Sequence, residues 1–447
     1  MNAMNPSMAY SDGFIQFMDA NPTVYHATRE FATLLSKAGF TELYEAAAWK
    51  IRAGGKYFVE RNGSSMVAFV VGTDYKAGNG FVGVAGHADA LTLKVKPNSH
   101  VDSGSKFLQV GVAPYSGGGS HTWLDRDLGL AGRVMVRTSQ GYETRLVRLP
   151  GAIGRIASLA EHFGLSTLRY NKETQINPIV GQSDKQTSEG SHSTELKAAV
   201  CRAAGVNDED LLGWELEFFD SQPATYLGLE SEFISVGRCD DKLCSWAAIV
   251  ALSEASTDGS LVKVAATFDN EEIGSLSLQG AKSNFLPATI TRAFEALGCT
   301  SRNDCGRAFA SSFLVSSDVA HAFNPNYADA YEAHQRPELN VGPVIKIAPT
   351  MAYTSELTSI ALSRLVASKC EMDMQTFQVR SDIGGGGTIG PILCANMGVR
   401  TVEIGLAQLS MHSVRALTGT REPELGVRYF GGVYEYFEGV RTQVTTE

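Results

Sequence analysis

"LVKVAATFDNEEIGS" (residues 261–275) joins a near-continuous apolar run to two adjacent glutamates. A strand with one wet face alternates apolar and polar residues. A run without that alternation is buried on both faces, as in a parallel sheet covered by helices. Similar runs recur at "KYFVE" (56–60), "MVAFVV" (66–71), "FVGVAG" (81–86), "SFLVS" (312–316), "VIKIA" (344–348) and "RTVEIG" (400–405). Helical patterns stand between them at 242–255, 276–284, 355–369 and 389–397. "NPTVYHATREFATLLSKAGF" (21–40) also predicts a helix, with Pro22 and Thr23 before its apolar face and Gly39 after it. Alternating β and α elements with buried strands give an α/β fold around a mainly parallel sheet.

Residues 94–235 break this pattern. They mix short alternating strands, such as "GRVMVRT" (132–138), with glycine-rich turns, such as "SGGGSHTW" (116–123). "GQSDKQTSEGSHSTE" (181–195) is too polar for a core and reads as a loop. The expectation is one domain formed by residues 1–93 and 236–447, interrupted by a β-rich domain at 94–235. No internal repeat or heptad pattern is evident.

The totals suit this picture. A chain of 447 residues with 44% hydrophobic content can bury a large core. Thirty-eight basic against 48 acidic residues give a net charge of −10, which disfavours nucleic acid and anionic membranes as partners. No run approaches 18 consecutive apolar residues, and the N-terminus lacks the basic and apolar regions of a secretory signal. Seven cysteines form no CxxC pair, as expected of reduced thiols in a cytoplasmic protein.

Chemistry collects where apolar runs end. His87 and Asp89 stand in "GVAGHADA", Asp240 and Asp241 in "GRCDDKL", and Glu271 and Glu272 in "FDNEEIGS"; Asp318 follows in "VSSDVAHAF" and His412 in "QLSMHSVR". Any one of these has a plain alternative: a surface hydrogen-bonded pair, a turn, or acids suited to a helix N-terminus. Five in order at strand ends, where open α/β sheets gather functional groups, point instead to a two-zinc hydrolase. Zinc accepts imidazole and carboxylate ligands, and two ions about 3.5–4 Å apart need a bridging carboxylate. Two histidines, one bridging acid, two further acids and a separate base would be required, and the candidates supply them. Asp89 could hold the second nitrogen of His87.

The motif order resembles the M18 family of metalloaminopeptidases, the aspartyl aminopeptidase type. The resemblance runs through "GHADALTLKVKP" (86–97), "WLDRDLGLAGRV" (123–134), "DNEEIGS" (269–275), "SSDVAHAFNPNY" (316–327), "RPELNVGPVIKI" (336–347), "TIGPILC" (388–394) and "LSMHSVRAL" (409–417). It implies a zinc-peptidase (phosphorylase/hydrolase-like) mixed sheet with helices on both faces, interrupted by a β-rich domain serving dimerisation and substrate access. It further implies His87 and Asp318 on one zinc, Glu272 and His412 on the other, and Asp240 bridging, with manganese or cobalt as replacements. Glu271 becomes the general base, and the Asp240–Asp241 peptide bond is expected to be cis. Many relatives carry Asn where this chain has Asp241. His321, Lys346 and Tyr353 match substrate-binding positions. His162 is implied to reach a neighbouring subunit's site, in a homododecamer built from dimers.

The function expected is removal of N-terminal Asp or Glu from peptides with a free N-terminus. Preference for neutral residues, a two-zinc deacylase of N-acyl amino acids and a non-catalytic assembly protein are the alternatives. "SDIGGGGTIGP" (381–391) lacks the Lys-Ser/Thr of a phosphate loop, so a backbone loop approaching the peptide or the metal site is expected there.

Overall fold

The computed structural model describes residues 6–102, 104–163, 170–183 and 191–444. Residues 184–190, the middle of the polar loop expected at 181–195, lie outside the described residues.

Strands Ser65–Val71, Phe81–His87, Val262–Phe268 and Phe313–Ser317 are buried at every position, as their unbroken apolar runs require. They form the middle of a nine-stranded sheet. Its order is Thr41–Glu42, Lys56–Arg61, Ser65–Val71, Val262–Phe268, Phe81–His87, Phe313–Ser317, Arg400–Gly405, Val344–Lys346 and Gln375–Phe377. The four strands from Val262–Phe268 to Arg400–Gly405 are mutually parallel, whereas Ser65–Val71 and Val344–Lys346 join them antiparallel. The sheet is therefore mixed, with a parallel centre. Phe268 pairs with His87, and Ser317 with Ile404, so these strands end along one rim.

Successive side chains on a strand point to opposite faces, and the core divides accordingly. Met66, Ala68 and Val70 pack with Leu243, Ala247 and Phe430 from helices Cys239–Glu254 and Glu422–Arg441. Val67, Phe69 and Val71 pack with Phe285, Ile290 and Leu393 from helices Phe285–Ala296 and Gly390–Met397. Helices thus cover both faces. Helix Val24–Lys37 forms inside the expected 21–40, capped by the Thr23 side chain accepting from the His26 amide. Helix Pro6–Ala20 has no counterpart among the sequence expectations.

The helix expected at 276–284 does not form. The Ser277 hydroxyl instead accepts from the Gly280 amide at 2.9 Å, and the Ser283 hydroxyl caps the amide of Phe285, where the helix begins. Serine and glycine offer the backbone local partners that compete with helix. Leu276 and Leu278 consequently remain exposed.

Residues 92–220 carry a second sheet of seven strands, with Leu211–Asp220 pairing to both Thr92–Val101 and Asp127–Thr138 so that it closes on itself. Its core includes Leu93, Val112, Trp123, Leu130 and Phe218. A third sheet, of five strands, places Ala320–His321, Ala407–Leu409 and Ala416–Gly419 beside the rim of the first. Among the described residues no helix is long and apolar enough to cross a membrane.

Candidate metal centre

The cluster residues come from five separate segments of the chain that meet at the common rim. His87 ends its strand, and Asp318 directly follows Phe313–Ser317. Glu271 and Glu272 open a single 3₁₀ turn between Asn270 and Gly274, both with positive φ. Asp240 and Asp241 sit with non-helical backbone at the start of Cys239–Glu254, and the peptide bond between them is cis. His412 lies at the tip of the turn joining Ala407–Leu409 to Ala416–Gly419.

Two sets of potential ligand atoms result. His87, Asp240 and Asp318 form one, and Asp240, Glu272 and His412 the other, each with its atoms within 4.8 Å of one another. Asp240 belongs to both: Oδ1 faces His87 Nε2 at 3.2 Å and Oδ2 faces His412 Nε2 at 3.4 Å. His412 Nε2 also lies 3.8 Å from Glu272 Oε2. Two ligands bound to one zinc at about 2.0–2.1 Å in tetrahedral geometry stand about 3.3–3.4 Å apart, so these spacings fit a cation between the groups. Glu271 is in neither set, although its Oε2 lies 3.8 Å from His87 Nε2.

The hydrogen bonding agrees. Asp89 Oδ1 lies 3.2 Å from His87 Nδ1. If that nitrogen donates, Nε2 turns a lone pair towards Asp240, an arrangement that needs a cation or a proton between them. Glu272 Oε1 is buried without a hydrogen-bond partner among the described residues. A buried carboxylate oxygen left so is costly unless a cation meets it.

Charge gives the same demand. Asp89, Asp240, Asp241, Glu271, Glu272 and Asp318 converge, and Lys346, 3.4 Å from Asp318, is a fixed cation among them. Burial first, then the neighbouring acids, pushes Glu271 up to about 7 and Glu272 up to about 9. Burial likewise raises Asp318 and Asp241. For Asp240 burial acts upwards too, but the bonds to His412 and His87 outweigh it and hold the carboxyl below its usual range. Carboxyls raised by burial and then by one another mark a site short of positive charge. The donor set of two imidazoles and three carboxylates is one that zinc accepts.

Lys346 is buried, donates to the Val319 carbonyl at 3.0 Å and lies over the Tyr353 ring. His321 and Tyr353 line a cavity of about 320 Å³ together with Tyr327, Phe377 and Gly384–Gly386. The glycine stretch of "SDIGGGGTIGP" thus borders this cavity. His162 does not join the cluster; it is exposed in the turn Glu161–Phe163, its ring 4.7 Å from that of Phe163.

Tyr115 was not anticipated. Its hydroxyl donates to Asp89 Oδ2 at 2.7 Å and accepts from Asn270 at 3.0 Å, bringing a residue of the second sheet into the site. "VAPYSGGG" carries no periodic or motif signal for this. Gln408, buried with both side-chain amide atoms unpartnered among the described residues, was also missed.

The chain is similar to known proteins over nearly its whole length. The family described as aminopeptidase I zinc metalloprotease (M18) matches residues 17–434. An aspartyl aminopeptidase of Aspergillus oryzae is 40% identical, the match covering 95% of each chain. Vacuolar aminopeptidase 1 of Saccharomyces cerevisiae is 36% identical over 96% of this chain and 88% of its own. Among solved structures, a complex of Ape4 and Nbr1 is similar with a TM-score of 0.96, at 36% identity over 99% of this chain and 88% of the other. The S. cerevisiae mApe1 dodecamer gives 0.89 at 34% identity, over 99% and 100%. These names do not favour the deacylase alternative. The chain belongs to the M18 family of aminopeptidase I zinc metalloproteases.

Proposed function

We propose that this enzyme is a two-zinc aminopeptidase that removes N-terminal residues, foremost Asp and Glu, from peptides. The observation that carries the two-ion reading is Asp240, which turns one carboxylate oxygen to each ligand set. His87 and Asp318 would hold one ion, Glu272 and His412 the other, and Asp240 both. Bound zinc supplies Lewis acidity and acidifies a coordinated water. Manganese or cobalt could take the same donors.

The chain's own residues do the rest. Glu271 stands beside both sets without belonging to either, which suits it to take the proton of the attacking water and pass it to the leaving amine. Asp89 fixes the His87 ring and the backbone of both glutamates. His321, Tyr353 and Lys346 border the substrate side, and the Aspergillus relative's name supports an acidic first residue.

Residues 1–93 and 236–447 are read as the catalytic domain and 94–235 as an insertion, on the strength of the second sheet's separate core. The exposed setting of His162 suits a contribution to a neighbouring copy. The dodecameric relative supports assembly into a homododecamer. All seven cysteines are free thiols, consistent with a reducing, cytoplasmic setting.

The test is a panel of Asp, Glu, Leu and Lys aminoacyl substrates with zinc-loaded protein, each with a free and an acetylated N-terminus. Faster cleavage of Asp and Glu, abolished by acetylation, is expected. Preference for Leu would remove the acidic specificity, and cleavage of acetylated substrates would remove the aminopeptidase reading.

A further inference from the structure

His412 is the ligand candidate least supported by its own surroundings. It is more than half exposed at the tip of a turn, and both it and Ser410 adopt positive φ. The other candidates stand at strand ends or on a helix of the main sheet's core. Something beyond the turn must therefore fix His412 in place.

Two anchors come from the other side of the site. The Val414 amide donates to Thr122 Oγ1 at 3.0 Å. Arg415, three residues after His412, commits its whole guanidinium. Nε donates to Ser235 Oγ at 2.8 Å, and Nη1 to Asp220 Oδ2 at 2.9 Å and to the Gln222 carbonyl at 3.0 Å. Nη2 donates to the carbonyls of Pro223 and Ser235 at 2.6 and 2.8 Å.

Asp220 is the centre of this arrangement. It is buried at the end of strand Leu211–Asp220, and its second oxygen accepts from Arg126 at 2.9 Å and from the Gln222 amide at 3.3 Å. Its carbonyl accepts from Arg238 at 3.4 Å, and Arg238 stands two residues before Asp240. Asp220 thus meets, through its carboxylate and its carbonyl, two arginines that stand within three residues of two ligands of the same set.

We infer that Asp220, through Arg415, is a positioning residue for His412, and so for the ligand set that His412 forms with Asp240 and Glu272. The inference rests on reading the set as a metal site. His87 and Asp318 stand at strand ends of the main sheet, and neither is among the partners of Asp220 or Arg415. A buried carboxylate meeting forked guanidinium donors is sensitive to loss of either partner. Groups that orient metal ligands typically change metal affinity by about 10–100-fold when substituted.

The experiment measures zinc stoichiometry and stepwise zinc affinity by chelator competition in the full chain, with the absorption spectrum of the cobalt-loaded protein as a second readout. Asp220→Asn and Arg415→Lys should weaken one of the two ions about 10–100-fold and leave the other near its wild-type affinity. Thr122→Val, which removes the acceptor of Val414 and the Ser120 contact while leaving Asp220 and Arg415 intact, should show the same selectivity more weakly, and with Arg415→Lys carries the test should Asp220→Asn not fold. Two unchanged affinities in the folded variants, or equal weakening of both, would overturn the inference. A wild-type chain that binds one ion overturns instead the two-ion reading beneath it.

Discussion

The carboxylate of Asp89 accepts the backbone amide of Glu271, at 3.1 Å, on the same oxygen that faces His87 Nδ1. Its other oxygen accepts the Glu272 amide at 3.2 Å. One side chain therefore fixes the backbone of both glutamates and the ring of the histidine. Adjacent residues on a 3₁₀ turn diverge by about 120°, so Glu271 and Glu272 can serve different purposes from one fixed backbone.

That division can be tested with two isosteric changes. Glu271→Gln should lower kcat by about 10²–10⁴-fold while zinc content stays at the wild-type value. Glu272→Gln should lose zinc from the set it shares with His412. Metal analysis beside steady-state kinetics separates the two outcomes. Near-normal turnover in the first variant would remove Glu271 as the base.

Asp89→Asn keeps the shape but weakens acceptance from His87 and the two amides. Zinc affinity or kcat should fall by about 10–100-fold, with the ring of His87 less well oriented. Isothermal titration with zinc and assays at saturating metal distinguish a loss of binding from a loss of turnover.

Gly86→Ala tests how closely the strand end fits the site. A Cβ there would stand 2.7 Å from Asp241 Oδ2 and 3.0 Å from the Ser317 carbonyl. Asp241 accepts the amides of His87 and Val319 at 3.2 and 3.1 Å, so displacing it moves the backbone of the ligand His87 and of the residue after Asp318. The expected result is lower zinc occupancy in a folded protein, read by metal analysis alongside circular dichroism.

The strands were legible because burial on both faces removes alternation, and "LVKVAATF" and "FVGVAG" show that directly. The expected helix at 276–284 failed for a reason periodicity does not register: Leu276 and Leu278 have helical company in spacing, but serine and glycine bonds captured the backbone. The candidate ligands were each visible at a strand end. Their division into two sets depends on strand order, which places Val262–Phe268 and Phe313–Ser317 on either side of Phe81–His87. Only the family resemblance supplied that grouping beforehand. Tyr115 and Asp220 lay beyond sequence reading because they reach the site from a separate sheet through contacts far apart in the chain.

Glu422 offers a prediction away from the metal centre. It is fully buried at the start of the last helix, accepting the amides of Asn340 at 2.8 Å and Ala407 at 3.3 Å. Burial pushes its carboxyl up to about 8, although both amides pull the other way. An unfolded glutamate titrates near 4.3, so the fold favours the neutral form. The stabilising contribution is full below about pH 4.3 and is lost as pH rises through about 8, because ionisation then costs more in the folded chain. Glu422→Gln keeps a neutral side chain at every pH. Thermal unfolding from pH 6 to 9 should therefore show a wild-type Tm that falls more steeply than that of the variant, the difference at pH 9 reaching on the order of a few kcal/mol. Parallel curves for the two proteins would show that Glu422 ionises in the fold without cost.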